Sequence, residues 1–180
     1  ARRRNKPTGD DYGHARGPAA GLTRRAAQSH SVLGGFTASP PNEAIAAVAR
    51  KRKSPFVVDP GSGAVVATEK FGLAEHEPTP GETLKRGADL VCFSGDKLLG
   101  GPQSGIIAGK ARLIAVLKRE PLFRALRCGK LVFAALEAPV DAHPRKQWTE
   151  LPILPQPQTP IDALRVRAGA PLRPVLLPVL

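Results

Sequence analysis

The sequence has little with which to build an aromatic or cross-linked structure. Aromatic residues make up 4% of its 180 residues, with a single Trp and a single Tyr. Cysteine occurs twice, at Cys92 and Cys128, too few for a disulfide framework, and with the four histidines it offers no CxxC or HxxxH spacing for zinc. The two thiols read as buried side chains in a reducing compartment. Long apolar runs are also missing. Leu131 to Leu136 and Val175 to Leu177 fall far below membrane-spanning length, and the basic N-terminus lacks the apolar stretch of a signal peptide. These absences predict a soluble, cytoplasmic chain with no membrane span and no metal centre. Acids are scarce beside bases: 15 Asp and Glu face 27 Lys and Arg, a formal net charge of +12 with pI near 10.5. That balance favours a polyanionic partner such as nucleic acid, or a phosphorylated substrate. The length suits one domain and excludes the two or three domains of a large enzyme.

What is present divides into three stretches. Residues 1 to 28 hold seven Lys or Arg against two acids, with no Val, Ile or Phe and no period of 2 or 3.6, which predicts a basic, disordered leader. Residues 29 to 140 alternate helical and strand patterns, as an α/β domain requires. Asn42 stands where it can cap a helix through Ala44 to Lys51, with Ile45, Val48 and Ala49 on its apolar side. Strands are expected at 56 to 58, 88 to 93 and 105 to 108. A helix is expected near Ala111 to Lys118, with Leu113, Ile114 and Leu117 on one face, and another from about Gly129 that stops at Pro139. Residues 141 to 180 carry eight of the 19 prolines, which predicts a poorly ordered remnant with one short helix from Ile161. No internal repeat or heptad is visible.

Ligands of an open α/β sheet collect at the carboxyl ends of its strands, so Asp59 and the pair Asp96 and Lys97, each just past an apolar strand, are the first candidates. The plain alternative is a polar turn. Lys97 lies between ADLVCF and the glycine-rich LLGGPQSG, where partial desolvation would make its amine nucleophilic; a solvated loop lysine is the other reading. Nucleotide fingerprints are absent, because GlySerGly at 61 to 63 is neither GxGxxG nor GxxxxGK[ST]. SerGlyAspLys matches SxxK, but without its companion motifs, and Glu75, His76 and Glu77 lack the further ligands that a metal requires.

The stretch GADLVCFSGDKLLGGPQSGIIAGKARLIAVLKREPLFRALRCGKLVFAALEA, residues 87 to 138, resembles bacterial selenocysteine synthase, the L-seryl-tRNA(Sec) selenium transferase family. The likeness continues more loosely through EAIAAVARKRKSPFVVDPGSG and HSVLGGFT, so it covers roughly residues 29 to 140 and touches ELPIL at 150 to 154. Family members are much longer, so the chain looks like a fragment. The resemblance implies an α/β chain forming part of the large domain of the PLP-dependent transferase fold, aspartate aminotransferase-like, fold type I. It implies pyridoxal 5'-phosphate as cofactor, held as an aldimine at Lys97, with Asp59 matching the acid that pairs with the pyridinium nitrogen. Asp96 stands beside the lysine, where it would orient it or assist proton transfer. Arg124 and Arg127 match arginines that hold the phosphate-like selenium donor, and on a shared helical face their two forks would suit a tetrahedral anion.

The implied reaction converts seryl-tRNA(Sec) to selenocysteinyl-tRNA(Sec) with selenophosphate, in a family that works as a homo-oligomer. Two other readings stand beside it. One is a related lyase of a small phosphorylated amino compound; the other is a non-catalytic basic tRNA-binding fragment. Pro60 departs from the family, which has an apolar residue after the acid of the DxGSG turn.

Overall fold

The computed structural model describes residues 21–26 and 40–169. Its centre is a four-stranded sheet: β1 (Thr23–Ala26), β2 (Phe56–Gly61), β3 (Leu90–Ser94) and β4 (Gly105–Gly109), side by side in that order. The first three are parallel and β4 runs antiparallel to β3. Between β1 and β2 runs α1 (Asn42–Lys51); between β2 and β3 come a 3-10 turn (Thr68–Phe71) and α2 (Pro80–Lys85). After β4 follow α3 (Ala111–Arg119), α4 (Pro121–Ala125), α5 (Lys130–Arg145) and, past two 3-10 turns, α6 (Ile161–Gly169). The strands expected at 56 to 58, 88 to 93 and 105 to 108 and the helix near 111 to 118 are all present.

The main core lies on one face of the sheet. Ile45, Ala46 and Ala49 of α1 pack on Phe56 and Val58 of β2 and on Val91 and Phe93 of β3. Alternation along β2 sends Phe56 and Val58 into this core and leaves Val57 and Asp59 for the opposite face. Phe56 is completely buried, so Phe56→Ala should destabilise the fold by about 3–5 kcal/mol through lost transfer energy and the cavity left behind. A urea midpoint unchanged from the parent chain would contradict this packing.

Four sequence expectations need correction. Within the basic stretch 1 to 28, Thr23–Ala26 form a strand, because an edge strand needs only its neighbour's backbone groups and here pairs with Phe56 to Asp59; the rest of that stretch, except Gly21 and Leu22, lies outside the described residues. Asn42 does not cap α1. Pro41 is the N-cap, and the Asn42 side-chain oxygen instead accepts a hydrogen bond from Arg25 at 2.6 Å. Helix α5 does not stop at Pro139 but continues to Arg145. A proline costs the helix one hydrogen bond, and here its ring is buried close to Gly101, where packing offsets that loss. Finally, the proline-rich region contributes to a second core: Leu151 and Leu154 are buried with Phe71 and Ala142, and the rings of Phe71 and Trp148 meet edge-on at 5.5 Å. Prolines there prevent long helices, not burial. The short helix expected from Ile161 is α6.

His76 ties the crossover between β2 and β3 together. Its Nδ1 lies 2.7 Å from Glu69 and its Nε2 3.3 Å from Glu82, which also closes a capping box with Thr79 at the start of α2. The hydrogen bond with Glu69 raises the imidazole above its ordinary 6.5. Hydrogen bonds from backbone amides, with His76 adding to each, hold both carboxyls below 4.5. A raised imidazole contributes stability below its unfolded value and loses it as pH rises through the folded value; lowered carboxyls contribute above theirs and lose it as pH falls. The three groups therefore act together between about pH 4.5 and 6.5. The urea midpoint should fall modestly from about pH 6 to pH 8 in the parent chain and fall less in His76→Ala. Parallel profiles would show that the clamp contributes nothing.

Candidate active site

Two turns at the carboxyl ends of β2 and β3 are locked to each other. The first, AspProGlySerGly, bends back through Gly61 and Gly63, both at positive φ, near 76° and 69°. Gly63 lies so close to the end of β3 that a Cβ there would sit 2.4 Å from the Ser94 carbonyl oxygen. The second turn, Gly95 to Ser104, closes on itself: Gly95 N donates to Ser104 O at 2.8 Å, Gly101 N to Gly95 O at 2.8 Å, and Gly100 N to Lys97 O at 2.8 Å. Leu98 N donates to Ser62 O at 2.9 Å and so joins the lysine loop to the turn that follows Asp59. From the other side, His143 Nε2 of α5 is 2.9 Å from the Leu99 carbonyl, which only accepts, so Nε2 carries the proton.

Lys97 is half-buried in this closed loop and Asp96 beside it is exposed. Asp59 opens onto a cleft of about 680 Å³ between the second face of the sheet and helices α3 to α5, lined among others by Cys92, Ile107, Leu117, Phe123 and Arg127. Asp59 and Arg127 thus share one cleft. Lys97, Asp96 and Arg124 are not among its lining residues, and Lys97 is linked to Asp59 through the bonded turns. Arg124 and Arg127 do not share a helical face as expected, since α4 ends at Ala125 with Leu126 as its C-cap and Arg127 follows outside the helix.

Three features of the site escaped the sequence reading. Arg24 of β1 donates to Asp59 Oδ2 at 2.7 Å. Ser62 Oγ is buried with no partner among the described residues. Both thiols line the same cleft, free and half-buried rather than fully buried. Burial pushes the Cys92 thiol up, the Asp59 charge adds to the rise, and Arg24 opposes it. Alternation in β3 was the available signal for Cys92, which faces away from Val91 and Phe93. Among the described residues no cluster of His, Cys, Asp or Glu is arranged to hold a metal, and no helix is long and apolar enough to cross a membrane.

The family described as L-seryl-tRNA selenium transferase matches residues 3–176. The chain belongs to this family. The match reaches well beyond residues 29 to 140, into both the basic and the proline-rich stretches. An L-seryl-tRNA(Sec) selenium transferase from Hyphomonas neptunium is 40% identical over 166 residues, covering 91% of this chain and 36% of the relative. One from Edwardsiella ictaluri is 44% identical over 146 residues, covering 80% of this chain and 31% of the relative. The chain therefore spans about a third of the length of the curated relatives it matches. Among solved structures, a D-glucosaminate-6-phosphate ammonia-lyase superposes with a TM-score of 0.61 at 22% identity, over 78% of this chain and 34% of the other. The chain shares the α/β, fold type I architecture that the resemblance implied, with a parallel-rich sheet.

Proposed function

We propose that this chain carries the cofactor-anchoring segment of an L-seryl-tRNA(Sec) selenium transferase, which converts seryl-tRNA(Sec) to selenocysteinyl-tRNA(Sec) with selenophosphate as the selenium donor. The observation that carries the reading is the Leu98 to Ser62 hydrogen bond, which fixes the lysine loop against the turn that follows an acid at the mouth of a cleft. The chemistry of the donor set fits pyridoxal phosphate: Lys97 offers a primary amine for its aldehyde, Asp59 a carboxylate for its ring nitrogen, and the orphaned Ser62 hydroxyl lies in the turn that follows Asp59. When bound, that cofactor supplies an electron sink for negative charge at Cα of the seryl group.

Each residue then has a task. Asp59 would hold a proton on the cofactor's ring nitrogen. Lys97 Nζ would hold the cofactor through its amine and would serve as the base for the Cα proton of the seryl group. Asp96, exposed beside it, orients the lysine. Arg127 presents a guanidinium fork to a tetrahedral anion inside the cleft, and Arg124, at the end of α4 and outside the cleft lining, would be an outer contact. The +12 charge suits the tRNA backbone. The homo-oligomer that the resemblance implies would be the assembly in which this segment takes its place.

The test is the visible absorption of the purified chain mixed with pyridoxal phosphate, followed by borohydride reduction and peptide mapping. A single labelled peptide containing Lys97 is expected. Label scattered over exposed lysines, or none, would refute the assignment and leave the basic tRNA-binding reading.

A further inference from the structure

We infer that Arg24 is a gate on the cofactor site: it occupies the Asp59 carboxylate and must release or share it before a protonated ring nitrogen can bind there. The inference rests on the assignment of Asp59 as the ring-nitrogen partner. Its geometric basis is the pairing of β1 with β2. Arg24 stands opposite Val57, and Val57 and Asp59 project from the same face of β2 two residues apart, so an arginine side chain reaches diagonally to the carboxylate. The contact is 2.7 Å from Nη2 to Oδ2, with the Arg24 side chain 60% exposed and that of Asp59 30% exposed. Arg24 is the one side chain paired with the Asp59 carboxylate among the described residues.

Two cations on one carboxylate repel, so a pyridinium N–H would meet a rival that already holds one oxygen. Arginine keeps its charge at every working pH, so the competition is not relieved by titration as it would be with histidine. Because the pair is largely exposed it is weak enough to be displaced, and its removal should change affinity by a small factor. The same arginine lowers the Cys92 thiol that Asp59 raises, which gives the pair a reporter independent of any cofactor.

The experiment uses the full chain, Arg24→Leu and Arg24→Gln, the second guarding against a folding defect specific to the first. Without cofactor, the pH profile of Cys92 alkylation by iodoacetamide should move to higher pH in both variants, while Cys128 keeps its profile. An unmoved Cys92 profile would show that the pair does not form in solution and would overturn the gate whatever the cofactor does. With pyridoxal phosphate, both variants should bind about two- to fivefold more tightly than the parent chain. With the analogue that carries CH in place of the ring nitrogen, affinity should not change. An equal gain for the analogue, or weaker binding of pyridoxal phosphate, would overturn the gate. A parent chain that binds neither compound would refute the cofactor assignment and the gate with it, while the Cys92 profile still reports the ion pair.

Discussion

Lys97→Ala should eliminate the borohydride-trapped label completely while leaving the urea midpoint within about 0.5 kcal/mol of the parent chain. The two halves of this result have separate causes. The adduct needs a primary amine at this place in the loop, and no neighbour supplies one: Asp96 and Leu98 flank it, and the next lysine along the chain is Lys110. Stability, in contrast, comes from the backbone of the loop. The bonds from Gly95 to Ser104, Gly101 to Gly95, Gly100 to Lys97 and Leu98 to Ser62 are all made by main-chain atoms and survive truncation of the side chain. Lys97→Arg, which keeps the charge but not the amine, should lose the label to the same extent. Retention of label by either variant would assign the chemistry to another lysine.

Gly63→Ala should be among the most damaging single substitutions in the chain, costing roughly 2–5 kcal/mol from a left-handed backbone and a forced shift of a packed neighbour. The new Cβ would stand 2.4 Å from the Ser94 carbonyl oxygen, a main-chain atom of β3 that has no rotamer by which to escape. The φ of 69° adds the strain of an L side chain in a glycine conformation. Relief requires the two turns to separate, which stretches the Leu98 to Ser62 bond, so the yield of Lys97 label should fall together with the unfolding midpoint. Gly105→Ala is the control, since a Cβ there meets nothing within 4 Å, and it should stay within about 0.5 kcal/mol of the parent. Equal behaviour of the two variants would show that the turns are not in contact.

Much of the fold was legible because burial leaves a pattern. The apolar runs of β2 and β3, with polar residues at their ends, mark strands of an α/β sheet, and SGDKLLGGPQ carries the glycines of the turn that follows β3. What stayed hidden depends on partners distant in the chain. The TRRA strand has no apolar residue longer than alanine, because an edge strand is held by the backbone of β2 and by two arginines whose acceptors, Asp59 and Asn42, lie 35 and 17 residues away. Pro139 reads locally as a stop, and only the packing against the Gly95 to Ser104 loop shows why α5 passes through it. The spacing of Arg124 and Arg127 suggests one face only while the helix lasts, and α4 ends between them.

The strands stand in the sheet in the order in which they are synthesised, β1, β2, β3, β4. Among these four strands, each one emerging from the ribosome therefore finds the neighbour that precedes it already made. Assembly of the sheet and assembly of the site are separated in time by this arrangement. The first three strands can pair once Ser94 has left the exit tunnel, but the lysine loop stays open until Ser104 arrives to accept the hydrogen bond from Gly95, and its outer support waits for His143 of α5. A nascent chain thus presents three paired strands with the lysine loop open from Ser94 to Ser104, and then a closed loop without its outer support until His143 emerges.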